Sequence, residues 1–269
     1  MTIRFPQNDR VSVALDDEGV AHVRLARPDK LNALDKEMID RLIEAGQALG
    51  KAKGLRAVVL AGEGRAFCAG LDLASMSTPD PQAADIAART HGDANRFQQI
   101  AMQWRRLAVP VIAAVHGVCF GGGMQIASGA DIRVVAPDAR MSIMEMKWGI
   151  VPDMGGFALW RGMVRGDVLR ELLFTNREFS GEEAQALGLA TIVDADPVTC
   201  ATQIATEIAD KNPYAIRKAK QLANRAHDLS VPEILLEESL AQHELIYSKN
   251  QVEAVMAQMQ GRKPNFEEP

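Results

Sequence analysis

The chain of 269 residues predicts an α/β fold that is followed by a run of helices. Over the first two thirds of the chain, short segments typical of β-strands alternate with segments that have the apolar periodicity of α-helices. From Asp153 onward the periodicity is mostly helical. The chain is 47% apolar and long enough to bury a large core. We therefore predict an α/β core over residues 1–200 and a C-terminal helical region over residues 201–269.

The elements of the first half follow from periodicity and from the residues that end each segment. Residues 11–15 and 20–25 flank an Asp-Asp-Glu-Gly turn, which predicts a β-hairpin. Apolar spacing predicts helices over residues 35–49, 93–107 and 121–130. Buried strands are predicted over residues 55–60, 109–115, 132–136 and 140–144.

The second half is predicted to contain one short strand among helices. Ser180-Gly-Glu-Glu183 has the pattern of a capping box before a helical turn at 184–187. A last strand is expected over 191–193, and helices over 197–211, 213–227, 232–247 and 252–259. Residues 75–93 are polar and contain prolines, which predicts a loop or a loose helix.

Composition excludes several classes of protein. With 30 Lys and Arg against 35 Asp and Glu, the net charge of −5 disfavours a general binder of nucleic acid or of anionic membranes. Three cysteines without a CxxC spacing, and five scattered histidines, favour a reducing compartment and no metal site. No apolar stretch reaches the length of a membrane span, and the N-terminal residues show no apolar region typical of a signal peptide, so a cytoplasmic location is expected.

Two glycine-bearing segments, 64–73 and 116–125, follow predicted buried strands. Glycines there can expose backbone N–H groups to a ligand, and two converging N–H groups form an oxyanion hole. A helix that begins at Gly121 would add its positive end. The alternative is that both segments are tight turns between a strand and a helix.

Seven segments in order resemble the enoyl-CoA hydratase/isomerase (crotonase) superfamily. The likeness is collinear from about residue 10 to residue 265 and includes RPDKLNAL (27–34), AVVLAG (57–62), FCAGLDL (67–73), PVIAAVHG (110–117), GGG (121–123), GIVPDMGG (149–156) and SGEEA (180–184).

The resemblance implies a crotonase-like spiral of ββα units with a C-terminal helical trimerisation region that also covers the active site. It implies a homotrimer or a dimer of trimers. The substrate implied is an acyl-CoA thioester, so that coenzyme A enters with the substrate and no separate cofactor is needed. The oxyanion hole implied consists of the backbone N–H groups of Leu71 and Gly122.

The resemblance also assigns the acid/base positions, and one of them departs from the hydratase pattern. Hydratases of the superfamily hold a water between two glutamates, which correspond here to Gln125 and Glu145. A glutamine cannot take up and release a proton near neutral pH. Loss of a general acid/base commonly slows a reaction 10²- to 10⁴-fold, so efficient hydration is disfavoured.

The superfamily's double-bond isomerases use a glutamate at the position of Glu145, and its dienoyl-CoA isomerases add an aspartate eight residues later, here Asp153. Two carboxyl groups at separate ends of a conjugated system can move a proton farther than one. Alternatives remain for both residues. Asp153 is suited to capping a helix, and Glu145 to a solvated or ion-paired position on a strand.

The CoA portion is placed by the resemblance against residues 30–33 and 66–70. Basic candidates for the phosphates are Arg27, Lys30 and Arg65, with Lys263 reaching in from a neighbouring subunit. The alternative for each is an ordinary solvated charge. The further candidate contacts to the substrate are Ala33, Ala69, Gly70 and Asp72.

Three functions are compatible with these residues. The favoured one is an isomerase that shifts a double bond in an enoyl- or dienoyl-CoA. The second is an enoyl-CoA hydratase of fatty-acid β-oxidation or a related acyl-CoA degradation, in which Gln125 only orients the water. The third is a weakly active acyl-CoA-binding protein, which the presence of both Glu145 and Asp153 disfavours.

Overall fold

The computed structural model describes residues 8–75 and 85–269, and its largest element is a six-stranded mixed sheet. The strand order is β1-β2-β3-β4-β6-β8, in which β1 and β2 form the antiparallel hairpin and all other pairs are parallel. A second, two-stranded parallel sheet pairs β5 with β7. The strands are β1 (Val11–Leu15), β2 (Val20–Leu25), β3 (Ala57–Gly62), β4 (Val111–Val115), β5 (Val118–Phe120), β6 (Ile132–Val135), β7 (Arg140–Ser142) and β8 (Ile192–Val193).

Ten α-helices lie within the described residues, and seven of them follow β7. They are α1 (Lys36–Gly50), α2 (Arg96–Arg106), α3 (Gly122–Ser128), α4 (Gly156–Trp160), α5 (Gly166–Thr175), α6 (Gly181–Ala186), α7 (Pro197–Ala209), α8 (Pro213–Arg225), α9 (Val231–Leu245) and α10 (Lys249–Gln260). Short 3-10 helices cover Pro28–Lys30 and Glu145–Trp148.

The sheet is covered on both faces. One face packs against α1 and α2, with Trp104 and Trp160 fully buried in the larger core. The other face packs against α7 through Ala201, Ala205 and Ala209. The predicted boundary at residue 200 therefore falls within a helix that packs on the sheet.

The predicted α/β class is confirmed, and most predicted elements are present with shorter ends. The strand β5 was not predicted as a strand, because it has three residues between Gly117 and Gly121 and pairs with β7. Ser180 accepts a hydrogen bond from the Glu183 amide and caps α6, as its position suggested. Residues 85–93 form turns and bends, while 76–84 of the predicted loop lie outside the described residues.

The C-terminal helices present apolar side chains to solvent. On α9 the exposed residues are Val231, Leu235, Leu236 and Leu240, and on α10 they are Val252, Val255, Met256 and Met259. The predicted role of this region in assembly stays a prediction. Within residues 8–75 and 85–269, no helix combines the length and the apolar character that a membrane crossing requires.

Candidate active site

One cavity of about 680 Å³ lies between the 69–73 segment, the start of α3, the 3-10 helix at 145–148 and the chain before α4. Its wall is mainly apolar and includes Leu73, Ile86, Phe97, Met144, Trp148, Ile150, Val151 and Met154. The polar groups that reach it include Gln125, Glu145 and Asp153. An apolar cavity with a few convergent polar groups is typical of a small-molecule site.

The amides of Leu71 and Gly122 both belong to residues that line this cavity. The Leu34 N–H donates to the Gly70 carbonyl, and the Leu34 carbonyl accepts from the Asp72 N–H. Because alternate residues of an extended chain face opposite sides, the N–H of the intervening Leu71 is directed away from Leu34. Gly122 is the first residue of α3, where an N–H has no partner within its own helix. Among the described residues, neither amide donates to another backbone carbonyl.

Gly70 brings the two amides together. A methyl group on its Cα would lie 3.5 Å from the Gly122 nitrogen and only 2.7 Å from the carbonyl oxygen of Phe120. Its φ of +86° is also a conformation that favours glycine. A glycine at position 70 is thus required both for the turn and for the close approach of the two segments.

Gln125 is fully buried, and its side chain connects α3 with two other segments. Its Oε1 accepts hydrogen bonds from the backbone N–H groups of Met154 and Gly156, each at 2.9 Å. Its Nε2 donates to Oε1 of Glu145 at 2.6 Å. Because the backbone amides can only donate, they determine which end of the Gln125 amide is the oxygen.

Glu145 begins the 3-10 helix and is only 7% exposed. Burial raises the pKa of its carboxyl group above the ordinary value of 4.5, and the hydrogen bond from Gln125 partly opposes that rise. The second oxygen, Oε2, is buried and has no hydrogen-bond partner among the described residues. The solvated or ion-paired strand position considered from the sequence is therefore wrong, since the side chain faces the cavity instead of solvent.

Asp153 also lines the cavity, and it is held by α2. Its Oδ1 accepts from Gln98 Nε2 at 2.8 Å, and its Oδ2 accepts from Asn95 Nδ2 at 3.1 Å. Asp153 does not cap the next helix: α4 begins after Gly155, and no side chain of the described residues caps it. The capping alternative is wrong because both carboxylate oxygens are engaged by α2.

Five of the predicted substrate contacts lie close to the cavity or to its edge. Ala69 and Gly70 line it directly. Arg27 Nη1 donates to Asp72 Oδ2 at 2.7 Å and to the Ala33 carbonyl at 3.1 Å. The Arg27 guanidinium lowers the pKa of Asp72. These contacts join the 28–33 turn to the chain that follows Leu71.

The other basic candidates lie away from the cavity wall. Lys30 and Arg65 are exposed. Lys263 is exposed and pairs with Asp210 at 2.9 Å, at the end of α7. Sequence reasoning did not single out Asn95 and Gln98. Their spacing is that of a capping box, which could have located the helix start but not the contact with Asp153.

The fold and this site together are those of a crotonase-superfamily protein. Two backbone amides that donate to no backbone carbonyl of the described residues lie at one wall of an apolar cavity. The buried carboxyl group of Glu145 and the carboxylate of Asp153, which accepts hydrogen bonds from two side-chain amides, line the same cavity.

Comparison with known proteins identifies the family. The family model described as "Enoyl-CoA hydratase/isomerase" matches residues 16–269. The chain is 34% identical over 259 residues to "Delta(3,5)-Delta(2,4)-dienoyl-CoA isomerase, peroxisomal" of Arabidopsis thaliana, covering 93% of each protein. It is 32% identical over 255 residues to "Probable enoyl-CoA hydratase echA8" of Mycobacterium bovis, covering 93% of this chain and 95% of that protein.

A solved structure of the same family has a similar fold. The crystal structure of an enoyl-CoA hydratase from Bacillus anthracis superposes with a TM-score of 0.87 at 26% identity, covering 96% of this chain and 98% of that chain. The chain belongs to the enoyl-CoA hydratase/isomerase family, and the resemblance of its seven segments is confirmed.

Proposed function

We propose that the protein converts 3,5-dienoyl-CoA thioesters into 2,4-dienoyl-CoA thioesters. The observation that carries this proposal is the presence of two carboxyl groups in different surroundings on one cavity. Glu145 is buried beside the glycines at the start of α3, and Asp153 is bound to α2. The similarity to an Arabidopsis isomerase of this name supports the same reaction.

The proposed reaction moves one proton out of the thioester end and another into the far end. The Leu71 and Gly122 amides bind the thioester oxygen, and Glu145 removes a proton from C2. The electron pair is delocalised over that oxygen and the conjugated chain. Hydrogen bonds from fixed donors to the charged oxygen are worth several kcal/mol. Asp153, after taking up a proton from solvent, gives that proton to C6, which leaves double bonds at C2 and C4, and Glu145 releases the proton from C2 to solvent.

The assignment of the two ends follows from position. A methyl group on Gly121 would lie 3.4 Å from Glu145 Oε1, so Glu145 is next to the amide of Gly122. Asp153 is instead tied to Asn95 and Gln98, at the start of α2. An acyl chain whose carbonyl is bound by the two amides would meet Glu145 first.

Hydration is the second candidate, because some relatives are named as hydratases. The contact between Gln125 and Glu145 disfavours it. Their side chains are hydrogen-bonded directly at 2.6 Å, where family hydratases are expected to hold a water between two glutamates. The remaining acceptor of Gln125 is engaged by two backbone amides, so it has little capacity left to orient a water.

The test is to offer the purified protein 3,5-dienoyl, 3-enoyl and 2-enoyl thioesters of CoA and to follow double-bond position and water uptake. We expect conversion of the 3,5-dienoyl thioester, with losses of about 10²- to 10⁴-fold in Glu145→Gln and in Asp153→Asn. Rapid hydration of the 2-enoyl thioester without isomerisation would overturn the proposal. Full activity of Glu145→Gln on every substrate would show that the site is wrongly assigned.

A second test locates the two proton transfers. In deuterated water, Asp153→Asn is expected to keep exchanging the C2 hydrogen of the 3,5-dienoyl thioester while it fails to form product. Glu145→Gln is expected to lose both exchange and product. The reverse pattern would mean that the carboxyl groups act at the opposite ends of the substrate.

Binding and assembly are part of the same proposal. The CoA portion of the substrate is contacted by residues of the 27–33 and 65–72 segments and by Lys263 of a neighbouring subunit. The residues of the two segments are Arg27, Lys30, Ala33, Arg65, Ala69, Gly70 and Asp72.

Homotrimers or dimers of trimers form through the apolar C-terminal helices, so light scattering should give three or six times the chain mass. A cytoplasmic location also stays a prediction, and the Arabidopsis relative is named as peroxisomal.

A further inference from the structure

The start of α2 carries an arrangement of amide side chains that exceeds what capping a helix requires. Asn95 Oδ1 accepts from the backbone N–H of Gln98 at 2.7 Å, and Gln98 Oε1 accepts from the backbone N–H of Asn95 at 3.0 Å. These two contacts complete a capping box and use the oxygen atom of each side-chain amide.

The nitrogen atoms of the same two amides face Asp153. Because backbone N–H groups occupy the oxygens, the NH₂ groups are necessarily on the other side. Gln98 Nε2 donates to Asp153 Oδ1 at 2.8 Å, and Asn95 Nδ2 donates to Asp153 Oδ2 at 3.1 Å. Each oxygen of the Asp153 carboxylate thus receives one donor, which determines the orientation of the carboxylate plane.

Capping alone does not explain these residue types. An aspartate at position 95 and a glutamate at position 98 would cap α2 as well, since a capping box needs only acceptor oxygens. Only the amides add donors. Asn95 is also 2% exposed, and its Nδ2 makes a second bond to the Ile86 carbonyl at 2.9 Å, so it has little freedom to move.

We propose that Asn95 and Gln98 are positioning residues that hold the Asp153 carboxylate toward the far end of the bound acyl chain. This inference rests on the proposed dienoyl-CoA isomerisation, in which Asp153 serves that end. The capping box of α2 makes the position rigid, because its two backbone bonds fix both side chains. A shift of a reacting group by about 1 Å can cost about 10²-fold in rate.

The decisive variant is Gln98→Glu. Its carboxylate keeps the oxygen that caps α2 and that accepts from Arg89 Nη1 at 2.8 Å. It replaces the donor to Asp153 by a second acceptor, so the two carboxylates repel. We expect kcat for 3,5-dienoyl-CoA to fall about 10- to 100-fold with little change in KM. We expect the C2 hydrogen to exchange at the wild-type rate and the melting temperature to be unchanged, because Glu145 and the cap are intact.

The matched control is Gln99→Glu, which adds the same charge one residue further along α2. Gln99 accepts a hydrogen bond from Arg106 on the outer side of α2, at 3.3 Å, and the Gln99→Glu variant should leave every rate unchanged. Asn95→Asp is a second variant that keeps the capping oxygen, and it should reproduce the selective loss of kcat.

Three outcomes would overturn the inference. Wild-type kcat in Gln98→Glu would show that Asp153 needs no donor from α2. Equal losses of C2 exchange and of product formation would indicate general damage instead of positioning. A wild-type protein that does not convert the 3,5-dienoyl thioester would overturn the proposed function, and the positioning role with it.

Discussion

The side-chain amide of Gln125 donates to the carboxyl group of Glu145 across 2.6 Å. The oxygen of the same side-chain amide accepts hydrogen bonds from the backbone N–H groups of Met154, before α4, and Gly156, at the start of α4. Gln125 therefore connects Glu145 to both α3 and α4. Glu145 is buried and has one oxygen without a partner among the described residues. This contact leads to three of the predictions below.

Replacing Gln125 by leucine should move the acid limb of activity to higher pH. Burial already raises the pKa of Glu145, and the donor from Gln125 lowers it, so the pKa rises further without the donor. Glu145 must be ionised to remove a proton, so kcat/KM rises with pH up to the pKa of Glu145 and levels off above it, and a higher pKa moves this rise to higher pH. The pH profile of 3,5-dienoyl-CoA conversion measures this.

The control for this variant is Ser128→Ala. Ser128 lies on the same helix as Gln125 and does not contact Glu145. Its hydroxyl accepts a buried hydrogen bond from Trp160 Nε1 at 2.9 Å, and the alanine variant loses this bond. Its acid limb should coincide with that of the wild type. An unchanged limb in Gln125→Leu would mean that the amide does not affect the ionisation of Glu145.

Replacing Gln125 by glutamate should increase hydration of 2-enoyl-CoA, by about 10-fold or more. The new carboxylate can still accept from the Met154 and Gly156 amides. It restores the two-carboxylate pattern of the family hydratases, which can share a proton and hold a water. Water uptake measures the gain, and Gln125→Leu should show none. No gain in either variant would indicate that the cavity lacks room for the water.

Glu145→Gln should remove a pH dependence of stability. In the wild type the pKa of Glu145 in the folded protein lies above the ordinary value of 4.5. The protonated carboxyl group therefore favours the folded state, and this contribution to stability is complete below pH 4.5. It is lost as pH rises through the folded pKa. Urea unfolding as a function of pH should therefore show the variant gaining stability over the wild type as pH increases. A constant difference across the range would contradict this.

Gly70→Ala should lower activity, by about 10²- to 10³-fold, because a displaced Leu71 amide no longer supports the oxyanion hole. The added methyl group meets the Phe120 carbonyl at 2.7 Å, which is backbone that cannot move freely. Gly54→Ala is the control: its φ is +71°, but no atom of the described residues lies within 4 Å of the new methyl group. Both variants should lose about 1 kcal/mol of stability from the left-handed conformation, Gly70→Ala should lose more because of the contact with the Phe120 carbonyl, and only Gly70→Ala should lose activity.

Lys220→Met should destabilise the fold by roughly 3–5 kcal/mol, because it leaves the Asp131 charge largely buried without its cation. Lys220 is buried, and its Nζ donates to Asp131 at 2.7 Å and to the carbonyls of Trp104 and Val109. Denaturant unfolding measures the loss. Lys218→Met is the control, since Lys218 pairs with the exposed Glu244 and should change stability little. Equal effects would contradict the structural role of Lys220.

Much of the fold could be predicted from the sequence, because hairpins and amphipathic helices have local signals. The hairpin of β1 and β2 and the helices α1 and α7 to α10 are found near their predicted positions. The strand β5 could not be predicted, since its three residues become a strand only by pairing with β7. The partners of Asp153 were also missed, because they lie 55 and 58 residues earlier in the chain.

The sequence by itself determined the family, the order of elements, and the residue types at the candidate site: an amide at 125, a carboxyl at 145 and another at 153. Those properties are carried by covalent identity and local periodicity. Only the tertiary structure decided the environment of each group. It buried Glu145 against the amide of Gln125 and brought Asp153 to α2 instead of the start of α4. The physical reason is that burial and hydrogen bonds between distant segments, which set the reactivity of a carboxyl group, exist only once the segments pack together.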